Sequence, residues 1–456
     1  MLTAPAMDAG VQPARVSAPD SVVLYGLFGL LMFGPLAFGA VEPWSIFILE
    51  AGAALLLVLW MVRQAMFGEL PLIGNPLFAP MLLFAFGVGL QLLTGRTAYR
   101  YETFSAGLLY CAYGILCFLV VQVLRRTSQV RAVTVAFTVY GFFLASFALL
   151  QGLSSTTRLY WLRTPRNGGW IYGPYVNHNH YAGLMEMLVP IPLVFFLTRS
   201  ARGPRKIMAG LAAALMASTI FLSGSRGGML AFVFQICLLA VIVAGRRKSR
   251  GLTLTLAAFL IAGVGLVLWL GGGELANRLA TLHAETRTEL SGGTRLDIDR
   301  DALRMFTLKP VLGWGLGVFP DVYPQFRSFH TNFFINEAHN DYLQLLVETG
   351  GLGFAAMLWF VWALYRHASR KLQSWSEDTN GAVGLAAMLA VTGILVHSFV
   401  DFNLQIPANA ALFYMFCVVA AMEPRFKKTR RKPVRRVERV EESLRPDQEE
   451  GLQEPI

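Results

Sequence analysis

Apolar stretches of eighteen or more residues recur along the whole chain, and no other feature restricts its fold so strongly. Such runs are long enough to cross a bilayer as helices and too long for barrel strands. In lipid, backbone groups must be bonded within the segment, so the helix is the structure they imply. Of the 456 residues, 55% are hydrophobic and 15% charged. A soluble domain carries about 25% charged residues, so a soluble enzyme is excluded, as are intrinsic disorder, fibrous repeats and a disulfide scaffold. Cys111, Cys117, Cys237 and Cys417 all lie inside apolar runs, where they pack as small hydrophobes.

The expected fold class is all-α, a polytopic bundle of about twelve transmembrane helices. The runs cover about 21–40, 44–62, 76–94, 103–124, 131–152, 178–198, 206–223, 225–245, 252–271, 341–365, 382–400 and 405–423. Residues 1–20 read as a disordered cytoplasmic tail, 21–423 as the bundle, and 424–456 as a second tail, basic and then acidic. The net charge of +11 reflects loop charge rather than nucleic-acid binding, since no interleaved basic and aromatic motif is present. With the N-terminus in the cytoplasm, Arg15, Arg63, the connections at 125–131, 199–206, 246–250 and 366–371, and the last tail hold 26 of the 39 Lys and Arg. That arrangement obeys the positive-inside rule. Two connections on the opposite side are long, 153–177 and 272–340. The second has a foldable composition and is expected to form short helices over the outer face.

Polar residues at span ends are costly, so each is a candidate for chemistry. Most lie on the outer side. EAHNDYLQLLVETGGLG (337–353) places His339 at the start of the tenth span, beside the capping residues Asn340 and Asp341. Free amides at a helix N-terminus favour an anion, and a neutral imidazole takes a proton from a hydroxyl. Asp341, Gln344 and Glu348 share one helix face. A capping histidine with a polar stripe packed on neighbouring helices is the plain alternative. SGSRGGMLAF (223–232) puts Arg226 at the membrane border beside Gly227 and Gly228, which permit close approach of a backbone or a ligand. An arginine that merely snorkels to the interface is the other reading.

SGGTRLDIDRDALRMFTLKPVLGWGLGVFPDVYP (291–324) sets Arg295 at the head of an amphipathic stretch that Lys309-Pro310 ends, before a Gly-rich turn. Asp297, Asp299 and Asp301 lack the remaining positions of a calcium loop and read as a solvated helix face. GPYVNHNHYAGLMEMLVP (173–190) brings Asn177, His178, Asn179 and His180 to the outer end of the sixth span. The histidines have no carboxylate at zinc-ligand spacing, and the asparagines suit sugar binding or fixing the helix start. Glu186, two turns deeper, needs a partner; Arg226 is one candidate, and Asp401 in HSFVDFNLQIP is another candidate partner. No metal site is expected. Neither a phosphate-binding loop nor a redox or zinc-protease motif is present.

Taken in order, SGSRGG, GGTR, KPVLGWGLGVFP and AHNDYLQLLVETG, with NHNHYAG and HSFVDFNLQIPANA, resemble the bacterial O-antigen ligase / O-antigen polymerase superfamily over about 173–410. The resemblance implies a helical bundle with periplasmic helices over a lateral cavity. It implies a multi-pass protein of the bacterial inner membrane, with both termini cytoplasmic and a periplasmic active site. The donor it implies is a glycan on undecaprenyl pyrophosphate. The acceptor hydroxyl belongs to lipid A core in a ligase and to a second lipid-linked glycan in a polymerase, with the ligase favoured. No cofactor is implied, because the lipid donor is already activated. His339 then matches the base, and Arg226 and Arg295 match the pyrophosphate-binding arginines. Asn177, Asn179, Asn340, Asp341, Glu348 and Asp401 are the expected substrate-binding residues. A flippase or transporter for the same lipid-linked glycan is the reading from another class, and polar residues at mid-membrane with broken helices would mark it.

Overall fold

The computed structural model describes residues 18–67, 72–154, 158–165, 170–198, 202–244, 292–331 and 334–422. Within them the chain is all-helical. The elements are α1 (Ala18–Leu36), α2 (Pro43–Phe67), α3 (Phe78–Leu93), α4 (Arg100–Val123), α5 (Thr127–Leu153), α6 (His178–Leu188), α7 (Pro190–Leu197), α8 (Pro204–Leu222) and α9 (Arg226–Ala244). They continue with α10 (Gly292–Leu308), α11 (Phe319–Val322), α12 (Asp341–Ala368), α13 (Thr379–His397) and α14 (Pro407–Ala421). Prolines mark several starts, since a first-turn proline loses no helical hydrogen bond. Pro204 and Pro407 open α8 and α14, and Pro190 divides one apolar span into α6 and α7.

Among the described residues eight helical segments are long and apolar enough to cross a membrane, α6 and α7 counting as one, and α1, α3 and α14 are shorter apolar helices. The chain is a multi-pass membrane protein. The expected span at 252–271, residues 1–17 of the first tail and the whole second tail lie outside the described residues, while 18–20 belong to α1, and a total of twelve is not established. The segment α6–α7 is 89% buried and α13 is 72% buried, against 28% for α2 and for α5. The first two are therefore central. The outer helices turn large apolar side chains such as Phe47, Leu55, Phe143 and Leu211 outward, as lipid contact requires.

One end of the bundle gathers the described basic connections. There Arg63 pairs with Asp20 at 2.9 Å, Asn75 donates to the Val418 carbonyl, and Lys371 donates to the Val419 carbonyl. At the opposite end α10, α11 and the loop to α12 form a cap with its own core of Ile298, Met305, Val318, Phe319, Tyr323 and Val347. Short helices were expected in this segment, and the cap has them.

The tenth run is not one continuous helix. Gly350 breaks α12 with φ of +63°, a backbone that glycine adopts without penalty. The KPVLGWG segment fills the break. The Gly351 and Leu352 amides donate to the Pro310 and Val311 carbonyls, and the Trp314 and Gly315 amides donate to the Val347 and Glu348 carbonyls. From α3, Gln91 donates to the Glu348 carbonyl at 2.8 Å and accepts from the Leu316 amide. Every backbone group named at the kink thus has a partner, which is what makes a break tolerable in a membrane helix.

Candidate active site

The start of α12 is fixed before any chemistry is considered. Asn340 caps it, its side-chain oxygen accepting from the Tyr342 and Leu343 amides. The Asp341 amide donates to the Ser398 carbonyl. The first amides are therefore all used, so this terminus does not offer them to an anion as the sequence suggested. Asp341 does not cap. Its buried carboxylate accepts from Ser398 Oγ at 2.7 Å, from the Leu404 amide and from Gln405, binding α12 to the turn after α13. His339 precedes the cap with φ of +55°. A side chain there is strained, and its ring lies against that same turn.

Three imidazoles surround Asp401. His339 Nδ1 lies 4.0 Å and His180 Nε2 3.8 Å from Oδ1, and His397 Nε2 lies 3.9 Å from Oδ2. Phe402 meets both His180 and His339 edge-on. The carboxylate side chain is 2% exposed, His397 0%, His180 7% and His339 18%. His339 is thus the ring a reactant reaches. Burial by itself raises Asp401, yet the three imidazoles and the Phe402 amide outweigh it and hold the carboxyl below its ordinary range. Behind this ring, His397 Nδ1 bonds Glu186 Oε1 at 2.8 Å, both side chains fully buried.

The pairing of Glu186 with His397 corrects the expected Arg226 contact. Only the contact of His397 with Asp401 carried a spacing signal, because the two are four residues apart at a helix end. The glycines beside Arg226 have the expected use, but the group that approaches is a side chain. A Cβ on Gly227 would stand 2.7 Å from the His397 ring and 2.9 Å from Val400, and one on Gly228 would stand 2.7 Å from Ala182.

Arg226, the exposed first residue of α9, therefore sits beside the histidine turn. Arg295, in the first turn of α10, donates through Nη1 to the Val400 carbonyl at 2.9 Å, and its buried Nε has no hydrogen-bond partner among the described residues. Val400 thus ties Arg295 to the edge of the Asp401 cluster, and Gly227 packs the start of α9, next to Arg226, on the same turn. Asp299, one turn on from Arg295, bonds Asn340. Burial raises its carboxyl, which that bond and Arg295 lower in turn.

The remaining expected residues are less exposed to a substrate. Asn177 caps α6 by accepting from the Asn179 amide at 2.8 Å, and Asn179 is buried. Glu348 is buried on the far side of the cap, accepting from the Gly317 and Phe319 amides and from Gln344. It shares a face with Asp341 and Gln344, as spacing indicated, and holds the Gly-rich turn. Asp301 does not lie on a solvated face. It is fully buried and accepts from the Ser328 amide and hydroxyl and from Tyr323.

A lateral apolar groove of about 870 Å3 begins at Asp341, Tyr342 and Gln405 and continues between α3, α4, α12 and α14. From Phe104 to Phe118 it follows α4 for about 21 Å at the rise of a helix.

With this geometry in view, the chain was compared with known proteins. A family model described as O-Antigen ligase matches residues 211–360, from within α8 through α9, α10 and α11 and into the second half of α12. A comparison with curated proteins gives no match.

Proposed function

From residues 211–360, an O-antigen ligase family segment, we propose that the protein is a membrane glycosyltransferase. It moves a glycan from undecaprenyl pyrophosphate to an acceptor hydroxyl, on lipid A core, at the periplasmic face. The observation that carries this reading is the accessible His339 ring, backed by Asp401 and flanked by Arg226 and Arg295.

Asp401 faces Nδ1 of His339, which leaves Nε2 on the opposite edge of the ring. The acceptor oxygen bonds to the anomeric carbon while Nε2 takes its proton. The bond from that carbon to the pyrophosphate oxygen breaks, and the electron pair leaves with undecaprenyl pyrophosphate. Arg226 and Arg295 stabilise the charge that develops there, as guanidinium groups do for phosphates. The lateral groove supports a lipid-linked donor, because it includes Asp341, two residues from His339, and is apolar along its length.

Reconstituted protein, supplied with the lipid-linked glycan and a chelator, tests the proposal. Lipid A core and a second lipid-linked glycan are offered separately. Transfer to lipid A core is expected. Transfer to the second lipid-linked glycan alone would make the protein a polymerase. Passage of donor across the bilayer without any transfer would make it a flippase.

A further inference from the structure

A second groove has no part in the proposed reaction. It holds about 790 Å3 and lies between α5, α7, α8, α13 and α14. Its walls are apolar, with Phe137, Val194, Phe195, Ala212, Ala386 and Phe416 among them. One end differs from the rest. Arg131 and Arg205 stand there with Thr198 and Thr379, at the basic end of the bundle. Both arginines are exposed, and neither is ion-paired with a described carboxylate. No acidic residue lines the groove among the described residues.

The dimensions select an occupant. Along α5 the lining runs from Val130 to Phe143, about 20 Å at the rise of a helix. Half of a bilayer's hydrocarbon core is about 15 Å. The groove is therefore about one leaflet deep, with its cationic end at the headgroups and its apolar end toward the midplane. That is the shape and charge of a diacyl phospholipid with an anionic headgroup. The proposed donor fits poorly, since its pyrophosphate reacts at the other end of the bundle.

The geometry points to a binding site for one anionic phospholipid in this groove, its phosphate between Arg131 and Arg205 and its acyl chains against α5, α8 and α13. Basic pockets between membrane helices bind anionic headgroups in this way. The lipid has a structural use. Only Val130, Phe137, Gly141, Leu144, Ala145, Ala148 and Gln151 of α5 are buried, so acyl chains supply the packing that protein side chains do not. The inference rests on the membrane fold and not on the glycosyl-transfer reading.

Purified protein in mild detergent, given phosphatidylglycerol or phosphatidylcholine, tests it by native mass spectrometry and by thermal unfolding. Retention of one phosphatidylglycerol at least about tenfold over phosphatidylcholine is expected, with a higher Tm. Arg131→Gln with Arg205→Gln should abolish both the preference and the Tm gain, and Arg131→Lys with Arg205→Lys should keep most of each. Arg202→Gln with Arg370→Gln removes two charges from the same end outside the groove and should change neither. Equal retention of the two lipids, an unaltered preference in the Gln pair, or the same Tm gain from inorganic phosphate alone would overturn the site.

Discussion

Asp401 carries the electrostatics of the candidate site, and its low pKa fixes how the cluster responds to pH. Its folded pKa lies below the ordinary value, so the stability it lends is present above the unfolded pKa and is lost as pH falls through the folded one. Near neutral pH its charge is constant. Asp401→Asn should keep the fold yet lose part of the roughly hundredfold to ten-thousandfold that a positioned base supplies. It should also move the acid limb of the pH–rate profile to lower pH, because a carboxylate beside an imidazole favours the charged ring. A slower enzyme with an unmoved profile would make Asp401 only a packing residue. Glu337 behaves in the opposite sense. Burial, with Glu348 and Asp341 nearby, pushes it up to about 8 against a bond from Gln344. Its contribution is fully present below the unfolded pKa of about 4.3 and is lost as pH rises toward 8. Glu337→Gln should therefore raise Tm at pH 8 and leave it nearly unchanged at pH 4. An equal change at both pH values would contradict that sign.

At the scale of elements, the decisive feature is the break in α12. A Cβ on Gly350 would press on the Val311 carbonyl, in a backbone region that costs other residues about 1–3 kcal/mol before any clash. Gly350→Ala should lower Tm and weaken the cap, read as faster proteolysis within 292–340. A variant with wild-type Tm and proteolysis would show that the KPVLGWG segment does not depend on the break. Apolar periodicity made the helices legible, since long uninterrupted runs have one solution in lipid. It did not reveal this kink, because Gly350 and Gly351 are compatible with a helix and their partners lie some forty residues earlier. The site was legible in parts. Arg226, Arg295, His339 and Asp401 stood out as polar residues at outer span ends, and the structure brings them to one turn. The His397–Glu186 bond was not legible, because helices far apart in sequence make it. Asp301 was misread for a related reason. Alternating acids resemble a solvated face until Tyr323 and Ser328 fold over one of them.

For the whole molecule, the candidate site lies at one end of the bundle and the described basic connections at the other, so orientation decides what the site meets. Leu162, exposed in the connection after α5, and Gln373, exposed between α12 and α13, report the two ends. In a cysteine-free background, Leu162→Cys should react with an impermeant thiol reagent on intact spheroplasts, and Gln373→Cys only after lysis. The reverse pattern would put the site in the cytoplasm and remove the periplasmic acceptor. The account stands on His339 acting within this assembly. The measurement that reaches it most directly is the initial rate of glycan transfer in proteoliposomes by His339→Ala beside wild type, with Tm recorded for both. The account predicts a loss of at least about a hundredfold at unchanged Tm. A rate within a few-fold of wild type would contradict it.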